Sequence, residues 1–413
     1  MRLTIAAFLV ALLGARSQQG PTITITTADD SRSAKSIAIK EIAGKLCVEY
    51  ERLDGKSESL LCSDVVEIAM GTPTAPAVAP ATVEVITTVG DSIFGTLGEP
   101  GADAVEVTSP GLGKASFPFT TIDQVRFLTN RSTWPTRHLP PKGRNSDSVW
   151  TITGDERKGT LQQFSGTKGV DLERKDKKVI TVSLANAAAA WFAATNDTKI
   201  PEAPKSLYSV ILLTDGSSIA GTISSFAGGS FTFSDLYGTP RTVPAASVAG
   251  IYYKNGRVVY LSDVAPSSRD ENPNYIRTEK PQPGDLSFPA KFDRSVLGEP
   301  LKIRGQAFRK GVGVHAFSSL TWKLDKQFVK FQATIGIDDG ATKYAPEIGN
   351  VAFKVLVDGA EVLDSGTVTS KDKPRPIVVD VTNKTTITLI VTFGADELSQ
   401  GDLADWALAR VIR

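Results

Sequence analysis

The residues with the most chemical capacity gather in the last third of the 413-residue chain. The stretch 308–340 reads FRKGVGVHAFSSLTWKLDKQFVKFQATIGIDDG, and it carries His315, one of two histidines, behind a turn flanked by Gly311 and Gly313. Phe317 follows, and the stretch closes on the acidic pair Asp338-Asp339 and Gly340, with Tyr344 just beyond. A second cluster, GDLADWALAR at 401–410, brings Asp402, Asp405 and Trp406. An imidazole and carboxylates exchange hydrogen bonds with hydroxyl groups, and an aromatic face takes an apolar ring surface. Asp338 and Asp339, with Asp402 or Asp405 and backbone carbonyls, are also candidate oxygen ligands for a structural Ca2+.

Each group has a plainer reading. His315 fixes the turn after Gly311 and Gly313 through backbone contacts. Asp338-Asp339-Gly340 is a β-turn whose carboxylates accept backbone N–H groups. Trp406 shares a strand face with Ala404 and Leu408, as Trp322 does with Leu320 and Leu324, and both patterns suit a core. Phe317 and Tyr344, in or beside loops, are the more exposed aromatics.

No catalytic constellation accompanies these groups. The chain has no Gly-x-Ser-x-Gly elbow, no phosphate-binding loop, no His-Glu-x-x-His pair and no EF-hand spacing. A glycosidase needs two carboxylates across a cleft. The 45 Asp and Glu residues do not forbid that, but no segment outside a set of small repeats is long enough for a typical catalytic domain. A catalytic set is therefore not assigned, and a non-enzymatic protein is expected.

The elements that must hold these residues read as strands. Leu320, Trp322 and Leu324 alternate with Thr321 and Lys323, and Val329, Phe331, Ala333 and Ile335 share a face. The spacing predicts strands at 258–261, 301–303, 320–324, 328–335, 351–357, 377–381, 386–393 and 408–412. With no convincing long helix, an antiparallel sandwich follows.

The blocks KGVGVHA, FQATIGIDDG, VAFKVLVDGAEVLDSG and GDLADWALARV, in that order, resemble the NPCBM family of carbohydrate-binding modules, which are attached to glycoside hydrolases and other secreted bacterial proteins. The resemblance covers 258–413 and departs at Leu403, where the family pattern carries histidine. It implies a galactose-binding-like jelly roll over 257–413 and a carbohydrate partner. On that basis His315, Phe317, Asp338, Asp339, Tyr344, Asp405 and Trp406 are the candidate carbohydrate-binding residues. The candidate metal set is Asp338, Asp339, Asp402 and Asp405.

Upstream, four segments look like copies of one unit, at 21–70, 82–129, 147–195 and 206–255. Apolar residues recur at the same offsets in their tails: Val243, Val248 and Ile251; Phe117, Ile122 and Val125; Val182, Ala187 and Ala190; Leu60, Val65 and Ile68. Gly95, Gly159 and Gly221 also correspond. Five short strands in each suggest tandem SH3-like or Sm-like barrels, since closure removes bare edges. The stretch LANAAAAW at 184–191 is an exception, where alanine content favours a short helical turn over the turn and strand of the other copies.

Composition bounds the rest. A formal net charge of +1 offers no field to recruit nucleic acid or an anionic membrane. Arg2, the apolar run 3–13 and Ala15-Arg16-Ser17 read as a signal peptide over 1–17, with a buried strand as the alternative. No later stretch reaches the roughly 18 to 20 apolar residues of a membrane span, so a secreted, periplasmic or cell-surface location is expected. Cys47 and Cys62 flank Asp54-Gly55 symmetrically, so a two-residue turn there would set them opposite each other, as a disulfide or as two buried thiols. The leading reading is a glycan-binding protein whose repeats act as spacer or interaction units. A cell-envelope scaffold that contacts other envelope proteins is the alternative, and an uncharacterised glycoside hydrolase the third.

Overall fold

The computed structural model describes all residues except 1–22, 75–76, 80, 102, 134–144, 196, 272–287, 344–348 and 396–399. The expected signal peptide and Tyr344 lie outside the described residues. Among these residues the chain is all-β, interrupted only by short 3-10 turns.

Residues 23–254 form four units of five antiparallel strands, spanning 23–69, 82–127, 147–191 and 208–254. In every unit the fifth strand pairs with the first, which pairs with the second, and so on to the fourth at the far edge. Alternation supplies the interior: Ile23 and Ile25, Val83 and Val85, and Ile211 and Leu213 are all buried. The tail residues with matching offsets join the same core, Leu60 only partly buried. Steric demand accounts for the three corresponding glycines. A Cβ at Gly221 would lie 2.4 Å from the Ser234 carbonyl oxygen, at Gly159 2.3 Å from that of Glu173, and at Gly95 3.0 Å from that of Thr108. The second strand crosses the third so closely there that only hydrogen fits.

The units do not stand apart. Val65–Ala69 pairs with Val248–Lys254, joining units 1 and 4, and Ile122–Phe127 pairs with Ala187–Trp191, joining units 2 and 3. Asp91 of unit 2 accepts the Ala220 N–H at 2.7 Å, while Asp215 of unit 4 accepts the Gly111 N–H at 2.9 Å. One continuous hydrophobic core runs through all four.

Two expectations are corrected here. The stretch 184–191 is a turn followed by the strand Ala187–Trp191, not a helical turn. Residues 187–191 are all buried between Ile122–Phe127 and Asp147–Thr151, a gap that small side chains fit, so packing overrides alanine's weak helical preference. The cysteines are free and buried, and Cys47 faces Leu61 instead of Cys62. The Arg52 N–H bonds the Lys56 carbonyl at 2.8 Å, closing a three-residue loop with Gly55 at φ +87°. That loop displaces the register by one from the two-residue turn. Burial pushes the Cys62 thiol up to about 11, which keeps it protonated and unreactive.

The C-terminal part is a two-sheet sandwich. One sheet runs Lys291–Phe292, Gly311–His315, Leu403–Ile412, Lys330–Ile337, Arg375–Asp380, with Val258–Tyr260 also on Leu403–Ile412. The other runs Ser268–Asp270, Ser318–Lys323, Thr386–Phe393, Asn350–Val357, Ala360–Thr369. Leu320, Trp322, Phe331, Ala333 and Ile335 face the shared interior, while Val329 precedes its strand and is exposed. A separate hairpin, 301–308, packs Leu301, Ile303 and Phe308 on Ala407, outside the first sheet. The strands at 311–315 and 360–369 had no clear sequence signal, and the closing strand starts at Leu403, five residues before the expected position.

Replacing Gly221 with alanine is expected to destabilise the chain by about 1–3 kcal/mol. The same change at Gly228, where a Cβ meets nothing within 4 Å, is expected to cost less despite its φ of +59°. Urea denaturation of the two variants beside the wild type checks the order.

Candidate functional site

The turn at Asp338-Asp339-Gly340 and the tip of hairpin 301–308 enclose a cleft of about 640 Å³. Arg304 and Gly305 both have positive φ (49° and 83°), so the hairpin closes through a two-residue turn of type I′. Backbone bonds tie this tip to the acidic turn: the Asp339 N–H donates to the Lys302 carbonyl at 2.7 Å, and the Lys302 N–H to Asp338 Oδ2 at 3.1 Å. The Gly305 N–H donates to Asp339 Oδ2 at 2.9 Å, and Lys302 Nζ lies 3.8 Å from the same oxygen. Two glycines make the approach possible. A Cβ on Gly336 would sit 2.4 Å from Ile303 Cγ2, and one on Gly340 would sit 2.6 Å from Asp338 Oδ1. That oxygen accepts the Gly340 N–H at 2.9 Å.

The cleft thus presents Lys302 and Arg304 as donors, Glu299 and Asp339 as acceptors, and the hydroxyls of Thr342 and Ser370. Interleaved donors and acceptors of this kind suit a polyhydroxylated ligand. None of its described lining residues is aromatic. Lys302, Arg304, Glu299 and Ser370 were not singled out from sequence. The Arg304-Gly305 pair between short apolar runs was the available turn signal.

Of the seven candidate carbohydrate-binding residues, Asp338 and Asp339 line this cleft, Asp338 almost wholly buried. Trp406 does not: it is 1% exposed, with its ring edge-on to Phe353 at 4.9 Å and 87°. Its two neighbouring strands and the opposite sheet enclose it, so no sugar reaches its face. Asp405 is likewise fully enclosed. His315 sits in the strand Gly311–His315, buried and stacked on Phe288 at 4.9 Å. Its Nδ1 lies 2.5 Å from the Ala316 carbonyl, which only accepts, so that nitrogen carries the proton. Burial lowers its pKa and the ring is neutral. Phe317 is half-buried beside it.

The four carboxylates proposed as calcium ligands are not assembled into one site. Among the described residues no three His, Cys, Asp or Glu side chains group to hold a metal ion. Asp338 and Asp339 accept backbone N–H groups, and Asp402 Oδ1 accepts that of Asn350 at 3.0 Å. Asp405 is fully buried next to Asp338. Burial first, and then the nearby Asp338 carboxylate, push the Asp405 carboxyl well above the usual range. Burial raises Asp338 as well.

Residues 257–412, which form the C-terminal sandwich, match the NPCBM/NEW2 domain. A Renibacterium salmoninarum protein named as an endo-alpha-N-acetylgalactosaminidase is 31% identical over 116 residues, which make up 28% of this chain. Those residues are 7% of that relative's length. Among solved structures, CBM51 from Clostridium perfringens GH95, in complex with methyl-galactose, is 22% identical with a TM-score of 0.32, covering 37% of this chain and 99% of that one. CBM51-2 with GlcNAc and INT domains, from Clostridium perfringens ZmpB, is also 22% identical, with a TM-score of 0.33, covering 48% and 43%. Neither superposition is close enough to transfer a residue.

The state of Asp405 sets a pH dependence. In the unfolded chain its carboxyl ionises near 3.9, whereas the folded chain retains the proton. Folding therefore takes up a proton, and this contribution to stability declines as pH rises from the ordinary carboxylate range to the folded pKa. Asp405→Asn removes the titration. The melting temperature of this variant relative to the wild type is expected to rise between pH 4 and pH 8; a constant difference would show that Asp405 is ionised in the folded chain.

Proposed function

We propose that this protein binds glycans through its C-terminal sandwich and catalyses no reaction. The observation that carries the reading is the cleft under hairpin 301–308, with Lys302 and Arg304 set against Glu299 and Asp339 at the strand-end turns of an NPCBM/NEW2 domain. Loops at one end of a sandwich are a favoured place for ligands because a rigid scaffold positions them. The non-catalytic reading is supported by the carboxylates themselves. Asp338 has both oxygens engaged by backbone N–H groups, and Asp339 has one. The relative named as an N-acetylgalactosaminidase makes N-acetylgalactosaminides the first ligands to test.

In this reading the protein is exported by the segment 1–17 and works outside the cytoplasm. The four units, as small SH3-like barrels, serve as a stiff spacer or as contacts for envelope proteins. The apolar seam of Ala28 and Val66 with Val258, Tyr260 and Ile412 supports the spacer role, because it holds the sandwich against unit 1.

A glycan array with the full chain is expected to show binding that a chelator leaves unchanged. The double variant Lys302→Ala/Arg304→Ala is expected to lose about tenfold or more in affinity with an unaltered melting temperature, since each removes a charged donor from an exposed hairpin. Full affinity in that variant would place the site elsewhere. No binding by the folded wild type would make the four-unit array the functional part and favour a scaffold.

A further inference from the structure

A second cleft, of about 630 Å³, lies where the sandwich meets units 1 and 4. Its floor is the outward face of unit 4. Ser209, Ile211 and Leu213 on the strand Tyr208–Leu213 point into the barrel and are buried. The alternating outward positions of a small barrel are ordinarily polar, yet here they hold Val210 and Leu212, half-buried, with Tyr252 paired across from Val210.

The wall is the far side of hairpin 301–308, with Phe308 lining this cleft and Pro300 lining both this one and the first. The walls are fixed relative to each other. Ala28 and Val66 of unit 1 pack with Val258, Tyr260 and Ile412 of the sandwich. Arg309 reaches Glu67 at 3.4 Å and donates to the Tyr252 hydroxyl at 2.7 Å.

The charges leave one cation over. Lys254 and Lys310 bind Asp263 at 2.5 and 2.7 Å, and Lys310 also binds Asp293. Arg309 is matched by Glu67. Arg294, exposed on the lining, has no carboxylate partner among the described residues.

We infer that this cleft is a second saccharide site, and that it takes an acidic sugar of the uronate type. The apolar face of the pyranose lies on Tyr252, Val210 and Leu212, and its carboxylate meets the Arg294 guanidinium, which presents a fork of donors matched to that group. A glycan is favoured as occupant because Pro300 borders both clefts, so a chain held in the first continues into the second across the hairpin. The inference rests on the glycan reading of the first cleft.

The test is calorimetric titration of the full chain with trigalacturonate and with its uncharged counterpart, galactotriose. Arg294→Ala and, separately, Leu212→Asp are expected to weaken trigalacturonate about tenfold and to leave galactotriose unchanged. Trigalacturonate binding that neither variant alters, or equal losses for both sugars, overturns the inference. Glycan-array binding lost in Lys302→Ala/Arg304→Ala, without any trigalacturonate binding, keeps the first site and removes the second. Arg294-dependent binding of trigalacturonate that the Lys302 and Arg304 changes leave intact, with no other glycan bound, keeps the second and removes the first. Binding of no sugar removes both.

Discussion

The burial of one strand on both faces is the constraint on which the sandwich depends. Leu403–Ile412 lies between Gly311–His315 and Lys330–Ile337, with Trp406 packed toward the opposite sheet and Ala407 covered from outside by hairpin 301–308. A strand enclosed in this way needs neighbours without side chains at the closest points. Gly311 supplies one, since a Cβ there would lie 2.6 Å from the Trp406 carbonyl oxygen. Gly313 supplies another, where the backbone of Arg294 and Ser295 passes within 2.4 to 2.6 Å of the same hypothetical atom. Gly336 does the same for Ile303 of the hairpin. The hairpin can therefore sit flat on the sheet, and its tip reaches the Asp338-Asp339 turn. The cleft is a consequence of that seating.

The same strand ties the sandwich to the four five-stranded units. Its C-terminal end pairs with Val258–Tyr260, which follows directly on the last strand of unit 4. Arg410 donates to the Ala28 carbonyl of unit 1 at 3.3 Å, and Arg257 lies 3.4 Å from Asp29. An exposed ion pair such as Arg257–Asp29 contributes little by itself. Alongside the apolar seam of Val66, Tyr260 and Ile412 these contacts fix direction more than they add strength. Within the array the fifth strands of units 1 and 4 pair with each other, as do those of units 2 and 3, so these edges are not left bare.

Buried carboxyl groups appear in both halves with different consequences. In the array Asp91 and Asp215 carry hydrogen bonds from one unit to the next. In the sandwich Asp405 is fully buried beside Asp338, whose carboxylate adds to the cost of ionising it. An acidic cluster that reads as a cation site in one dimension is, in the fold, a set of turn fasteners beside a protonated acid.

By itself the sequence determined what depends on neighbours along the chain. Alternation at Leu320, Trp322 and Leu324, and the matching tails from Leu60-Val65-Ile68 to Val243-Val248-Ile251, reported strands and an inward face because a strand's side chains alternate with period two. The Asp338-Asp339-Gly340 turn was legible from its residue types, since Asp side chains accept backbone N–H groups in turns. Contacts between distant segments were decided only in the tertiary structure. Trp406 and Asp405 are enclosed because hairpin 301–308 and a second sheet close over their strand, and LANAAAAW is a strand because two others flank it. Cys47 misses Cys62 because a loop one residue longer displaces the register. Lys302, Arg304 and Arg294 came to line clefts only when the hairpin, the acidic turn and unit 4 came together. Burial and proximity are properties of the packed chain, and local patterning carries no record of which surfaces will meet.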